Sequence, residues 1–388
     1  MIKSDIISKI IAAGGEPYYV GGCVRDVFMN KISKDIDIEV FLIDQEKLIS
    51  VLSENGKVDL FGKSFGIVKY IDNVTKENIE FSLPRKEKKT GEGYTGFSVE
   101  IDPFLPLGIA ASRRDFTINS IMIRCRDNKV IDRFDGIRHI KEGILHPTSE
   151  AFIEDPLRVL RGFQFAARFD MRPSEQCILM CCGLKREFDS LSKDRIWTEW
   201  EKFLTKGNFP YKGISFLEKV GWLHLFHLEN RYGDVIFRQD PQYRLCQIFD
   251  RCSPSNRKEF LESIGCPNKI SCFVSETVWA KDIWQLNHLE DLEKTAMYIA
   301  SMLKVSNCYH VNCAFDIKSL IDIAVSLRCS LKKTPAIINS EDVARLGVEP
   351  GKKMGEILRD MYRRQMEKEF MTKGYGITLM EKYHGQNN

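Results

Sequence analysis

The chain has 388 residues, 43% hydrophobic and 29% charged, the balance of an ordinary soluble globular protein rather than a disordered or fibrous one. Its length exceeds what one hydrophobic core organises, so roughly two to four domains or subdomains are expected. A formal net charge of +3 excludes a global field for polyanions, and any nucleic-acid partner has to be gripped by local basic patches.

The segment from Met1 to Asp5 carries an early acid and no apolar run of signal-peptide length, and no stretch approaches the roughly twenty apolar residues of a membrane span. A cytoplasmic protein without membrane association is expected. Of the 12 cysteines, Cys177, Cys181 and Cys182 fall in a helical pattern, and Cys308 and Cys313 lack zinc-knuckle spacing, which reads as free thiols in a reducing compartment.

In chain order, helical periods begin near Ser4, Arg25 and Gln45, and strands are expected at 18–20, 36–41, 67–70, 79–82 and 121–123. The first 150 residues therefore read as an α+β unit. Between Pro84 and Ser112, glycines 91, 93, 96 and 108 and prolines 103 and 106 break any periodicity, and the stretch reads as a mobile loop over a site. Beyond residue 150 the pattern is almost wholly helical. Residues 154–169 form a strongly amphipathic helix with Leu157, Leu160, Phe163 and Ala167 on one stripe, and further helices are expected at 194–204, 214–220, 243–249, 289–303 and 354–366.

Two features carry chemistry. Gly21 and Gly22 enter a helix ahead of Arg25, so backbone N–H groups at its positive end, with a guanidinium beside them, suit a triphosphate. Asp35 and Asp37 stand at i and i+2 on an expected strand, a spacing that turns both carboxylates to one face and suits a pair of divalent cations. A lone D-x-D is commonly a solvated strand edge; the glycine turn nearby points instead to metal-dependent nucleotidyl transfer. Glu80 shares a strand face with Ser82 and is a candidate third carboxylate.

The motifs G-G-C-V-R-D, D-I-D, L-P-R-K-E-K-K-T-G-E-G-Y-T-G-F, R-R-D-F-T-I-N-S at 113–120 and E-D-P-L-R-V-L-R at 154–161 occur in that order. This set resembles the class II tRNA nucleotidyltransferase family of CCA-adding enzymes and bacterial poly(A) polymerases, within the polymerase-β-like nucleotidyltransferases. The resemblance covers roughly half the chain; segments 132–136, 191–197, 346–351 and 355–358 are similar as well. It implies a nucleotidyltransferase head of mixed sheet and helices over 1–148, an all-α neck over 149–207, and an all-α body and tail over 208–388. The implied activity is addition of CCA to the 3′ end of tRNA from CTP and ATP, with two Mg²⁺ ions on Asp35 and Asp37. The alternatives are a poly(A) polymerase and a partial CC- or A-adding enzyme.

By resemblance, Arg114 and Asp115 contact the ribose; a capping pair for the turn at 115–119 is a compatible structural role. Asp155 and Arg158 read the base, with Arg161 and Gln164 completing the nucleotide site. Their chemistry agrees. Cytosine and adenine each offer an exocyclic amine beside a ring-nitrogen acceptor, which a carboxylate next to a guanidinium complements. Uracil and guanine reverse that order and leave buried groups unpaired, at about 1–3 kcal/mol each. Arg85, Lys86, Lys88, Lys89 and Tyr94 are expected to order over nucleotide and primer.

At Gln164 the family often has a further arginine, a charge that Arg161, Arg168 or a loop lysine has to replace. No His-Asp pair occurs, so the phosphohydrolase domain of some relatives is not expected, and His139 and His146 read as packing or turn residues. The helical half is expected to hold the acceptor and T arms of tRNA, with Lys352, Lys353, Arg359, Arg363 and Arg364 as candidate phosphate contacts. No protein partner is implied.

Overall fold

The computed structural model describes residues 5–33, 35–60, 66–89, 97–229, 237–287, 314–315, 336–366 and 369–385. They fall into two compact units, one of residues 1–235 with 262–265, the other of 236–261 with 266–388.

The first unit is built on a seven-stranded mixed sheet ordered β3-β4-β5-β2-β1-β8-β9: β1 is Glu16–Val20, β2 Ile36–Phe41, β3 Gly56–Asp59, β4 Ile67–Asp72, β5 Asn78–Ser82, β8 Met122–Arg124 and β9 Val130–Ile131. Only β2 and β5 run parallel. The strand period of two makes β2 amphipathic. Ile38 and Val40 enter a core with Ile6 and Ile10 of α1 (Ile6–Ala12) and Leu48 and Leu52 of α3 (Gln45–Ser53). Asp37 and Glu39 alternate with them and face the other way, while the parallel register sets Glu80 of β5 opposite Asp37. Asp35 lies one residue before the strand and is exposed, so only Asp37 of the expected pair is held by sheet hydrogen bonding.

The expected strands are all present, but the stretch read as a loop is more regular than its glycines and prolines suggested. Its backbone forms an antiparallel hairpin of β6 (Arg85–Lys89) and β7 (Phe97–Ile101), then helix α4 (Leu107–Ser112). Pairing that joins residues on both sides of a glycine-rich segment leaves no local period. β3 was likewise hidden, in a short polar run. Helix α2 (Gly22–Phe28) starts earlier than expected, because Gly21 takes φ +70°, which turns the chain straight off β1.

Beyond α5 (Gly136–Glu142) the unit is helical apart from the short parallel pair β10 (Ile144–Leu145) and β11 (Arg172–Pro173). Helix α6 (Leu157–Phe169) packs through Phe163 against Trp200 and Phe203 of α8 (Lys193–Lys206), with ring centroids 4.9 and 4.4 Å apart. On its other side Gly162 is obligatory, since a Cβ there would stand 2.5 Å from the Phe216 ring of α9 (Pro210–Lys219). His139 and His146 stack with centroids 4.9 Å apart, their Nδ1 atoms meeting the hydroxyls of Thr117 and Ser174, which is a packing role. Every cysteine among the described residues is a free thiol.

In the second unit the helices Pro241–Asp250, Asn268–Asn287, Ser340–Ala344, Lys352–Met366 and Lys373–His384 are described, and the helix expected at 289–303 lies outside the described residues. Met354, Ile357 and Met361 of Lys352–Met366 pack with Leu379 and Met380 of Lys373–His384. Lys352, Lys353, Arg359 and Arg363 are left exposed on the opposite side. Arg363 and Arg364 both donate to Asp360, as does His384, which ties the two helices together.

Candidate active site

A cleft of about 530 Å³ in the first unit is lined from the sheet side by Gly21, Gly22, Arg25, Asp37, Arg85, Arg113, Arg114, Asp115 and Asn119. Asp155, Arg158, Arg161, Gln164 and Arg168 line it from the start and face of α6, and Arg195, Lys202 and Lys206 from α8. The strand acid and the acid-plus-guanidinium helix therefore face one cavity.

Gly21 fits because it has no side chain: a Cβ on it would stand 3.2 Å from Arg114 Nη1 and 3.5 Å from Asp37 Oδ2. Burial, repulsion from Glu80 and, more weakly, repulsion from Asp35 raise the Asp37 carboxyl to about 6, although Arg114 and Arg25 pull the other way. Neither Asp35 nor Glu80 lines the cleft itself. Among the described residues, no group of three or more His, Cys, Asp or Glu side chains converges closely enough to hold a metal ion.

Glu39, which the sequence reading passed over, organises the floor. Its fully buried carboxylate accepts from Arg113 Nη2 at 2.7 Å and from Arg114 Nη2 at 3.1 Å. Burial alone would raise this carboxyl, but the guanidiniums of Arg114 and Arg113 outweigh it and hold it low. The alternation D-I-D-I-E was the signal for it, since three acids at i, i+2 and i+4 share a strand face.

Asp115 is spent within the protein. Its Oδ1 accepts from the Phe116 N–H and Asn119 Nδ2, and its Oδ2 from Arg161 Nε at 2.6 Å. Asn119 in turn accepts from Arg25 Nη1, so a chain of bonds runs from α2 to α6. The remaining Arg25 donors engage Asp26 through Nε and Nη2.

At the start of α6, Arg158 donates to the carbonyls of Ala151 and Arg113, both at 2.8 Å. Asp155 caps Leu157 N–H and takes Arg195 Nη2 at 3.2 and 2.9 Å on its two oxygens. Gln164 is buried and accepts from Arg168. Arg85 opens β6 at the cleft wall; Lys86 pairs with Asp102 at the hairpin base. Lys88 and Lys89 continue that strand, but their side chains and the whole of Tyr94 lie outside the described residues. Lys352, Lys353 and Arg363 belong to the second unit.

Residues 17–146 match the family model described as "Poly A polymerase head domain". The "Multifunctional CCA protein" of Neisseria gonorrhoeae is 36% identical over 212 residues, which is 54% of this chain and 49% of that protein. The "CCA-adding enzyme" of Buchnera aphidicola is 38% identical over 217 residues, 55% of this chain and 50% of that one. The matched stretch thus spans about half the length of these curated relatives. Among solved structures, the Thermotoga maritima CCA-adding enzyme complexed with tRNA superposes with a TM-score of 0.61 at 19% identity, covering 97% of this chain and 93% of that one. The Bacillus stearothermophilus CCA-adding enzyme in complex with CTP gives 0.62 at 20% identity, covering 97% and 95%. Residues 17–146 of this chain thus match a poly(A) polymerase head domain, its N-terminal half is similar to CCA-adding proteins, and the chain as a whole has the fold of the CCA-adding enzymes.

Proposed function

We propose that this protein completes the 3′-CCA end of tRNA by template-independent transfer of CMP and AMP from CTP and ATP, releasing pyrophosphate. The observation that carries the reading is the single cleft lined by Asp37 of β2 and by Asp155 and Arg158 at the start of α6. A site of that kind offers a phosphate-activating end and a base-reading end. The relatives support it by name, and the solved neighbours by the tRNA, CTP and ATP in their titles.

In this reading Gly21, Gly22 and Arg25 seat the triphosphate, Arg114 approaches the ribose, and Asp115 acts there chiefly by positioning Arg161 and Asn119. Asp155 and Arg158 select cytosine and adenine. The acids fit hard divalent cations: the raised Asp37 carboxyl opposite Glu80 is a concentration of negative charge that a dication relieves, and Mg²⁺ needs only one or two carboxylates when phosphate and water complete its shell. Asp35 and Asp37 would hold two Mg²⁺, with Glu80 beside them. Bound there, the ions would neutralise phosphate charge and acidify the attacking hydroxyl.

Functionally the chain divides into a catalytic head over 1–148, a templating neck over 149–207 and an RNA-binding remainder over 208–388, with α9 packed onto α6 as a structural extension of the neck. Lys352, Lys353 and Arg363, exposed on one helix, are suited to the phosphates of the acceptor and T arms. The hairpin bearing Arg85, Lys88 and Lys89 is suited to closing over nucleotide and primer. A tRNA substrate goes with a cytoplasmic place of action; among the described residues, no helix is long and apolar enough to cross a membrane.

The test supplies a tRNA lacking its terminal CCA with labelled CTP and ATP, separately and together. Two cytidines and one adenosine are expected, and Asp37→Ala is expected to abolish incorporation while tRNA binding persists. Homopolymer growth from ATP alone would assign a poly(A) polymerase instead; products ending at CC or needing a preformed CC end would assign a partial enzyme.

A further inference from the structure

Helix α6 presents three arginines to the cleft, and their surroundings differ. Arg161 is neutralised by Asp115, and Arg158 is fixed by two main-chain carbonyls. Arg168 meets only a neutral amide, donating from Nη1 to Gln164 Oε1 at 3.3 Å; no carboxylate pairs with it among the described residues. Gln164 is 1% exposed, so its amide is a rigid support.

Arg168 also belongs to a crowd of like charges. Its guanidinium lies 4.8 Å from the centre of the Phe169 ring, Arg25 lies over the same ring at 4.4 Å, and the Lys31 ammonium stands at 4.7 Å. Asp26 and Glu199 are the acids whose charge reaches Arg168, but Asp26 already holds Arg25 through two donors and Glu199 holds Lys202. Burial first, and then repulsion from Arg25, push Arg168 below its ordinary pKa, so its charge is held at a cost that an arriving anion removes. The corner adjoins the glycine turn, since a Cβ on Gly22 would stand 3.5 Å from Arg25 Nη2.

We propose that Arg168, aimed by Gln164 and stacked on Phe169, binds the terminal phosphates of the incoming nucleoside triphosphate and the pyrophosphate that departs. The inference rests on the nucleotidyl-transfer reading and deepens it. Gln164, where relatives often carry arginine, then supplies no charge of its own but directs one from the next helical turn.

Equilibrium binding of CTP, CMP and inorganic pyrophosphate to the full-length chain tests this, with thermal melting as the check on folding. The wild type is expected to prefer CTP over CMP. Arg168→Gln is expected to shrink that preference about tenfold or more and to weaken pyrophosphate similarly, leaving CMP unchanged, as fits loss of a charge-assisted hydrogen bond. Arg168→Met, which keeps the packing on Phe169, carries the same expectation should the glutamine variant not fold. Gln164→Arg in the Arg168→Gln background is expected to restore the preference. Preference for CTP unchanged in the charge-free variants overturns the assignment while leaving the nucleotidyl-transfer reading standing. A wild type with no preference for CTP overturns that reading, and this inference with it.

Discussion

Arg161 donates from Nε to Asp115 Oδ2 at 2.6 Å, and this bond fastens helix α6 to the R-R-D segment on the sheet side of the cleft. Phe116, next to Asp115, adds edge-on contact with Phe152 and Phe165, at 5.3 and 5.9 Å between centroids. The two ends of the cleft thus keep a fixed separation, which a nucleotide spanning them requires.

Breaking the bond from the acid side should be the more damaging. Asp115→Ala strips Arg161 of its counter-ion and Asn119 of its acceptor, with an expected loss of about 3 kcal/mol in urea unfolding. Arg161→Met leaves Asp115 with the Phe116 N–H and Asn119, and should cost roughly half as much. Equal and negligible losses in both variants would remove the bond from the account of how the cleft is held.

Asp37 should trade stability for chemistry. Its folded carboxyl titrates at about 6 against an ordinary 3.8, so folding favours the protonated form. The penalty is therefore absent below about pH 4, grows as pH rises to about 6, and is constant above that, reaching about 2–3 kcal/mol. Without divalent cations, Asp37→Asn should be more stable than the wild type by that amount at pH 8 and no more stable at pH 4, while inactive. Added Mg²⁺ should raise the wild-type melting temperature at pH 8 and leave the variant's unchanged. A variant no more stable than the wild type at pH 8 would mean that the site does not strain this carboxylate.

Glu39 should matter through the arginines it holds. Glu39→Ala leaves the Arg113 and Arg114 guanidiniums without their shared carboxylate in a buried floor, at an expected cost of about 3 kcal/mol or more. Glu39→Gln keeps the shape and one acceptor, and should cost less. With the hold on Arg114 weakened, preference for CTP over dCTP should fall about tenfold in the glutamine variant, the loss of one well-placed polar contact. An unchanged preference would detach Arg114 from sugar recognition.

Legibility of this fold followed the range of the forces involved. Segments with a strong period of their own, such as β2 and the amphipathic α6, were plain in the sequence because burial of one face is written into every second or every third-to-fourth residue. The β6–β7 pair was not, because its partners lie on both sides of a glycine-rich segment and its strand 85–89 is charged at every position. In the cleft, the residue types expected to act on a ligand stood out by motif, whereas the groups that hold them did not. Glu39 reaches 75 positions along the chain to Arg114, and Arg195 reaches 40 to Asp155; distances of that order leave no local pattern.

Arg195 gives the sharpest test of that hidden layer. Its Nη2 sits between the two oxygens of Asp155, at 3.2 and 2.9 Å, and so fixes the plane of the carboxylate proposed to read the base. Without it, among the described residues Asp155 keeps only the bond from the Leu157 N–H and is free to turn about its side-chain torsions. Arg195→Ala should therefore lower kcat/KM for CTP and ATP about tenfold, equivalent to about 1.4 kcal/mol, while incorporation of UTP rises relative to CTP. Affinity for inorganic pyrophosphate, whose proposed site is at the other end of the cleft, should not change. A uniform loss across all four nucleotides, with pyrophosphate binding weakened in step, would mean that Arg195 supports the fold of α6 rather than the orientation of the carboxylate that reads the base.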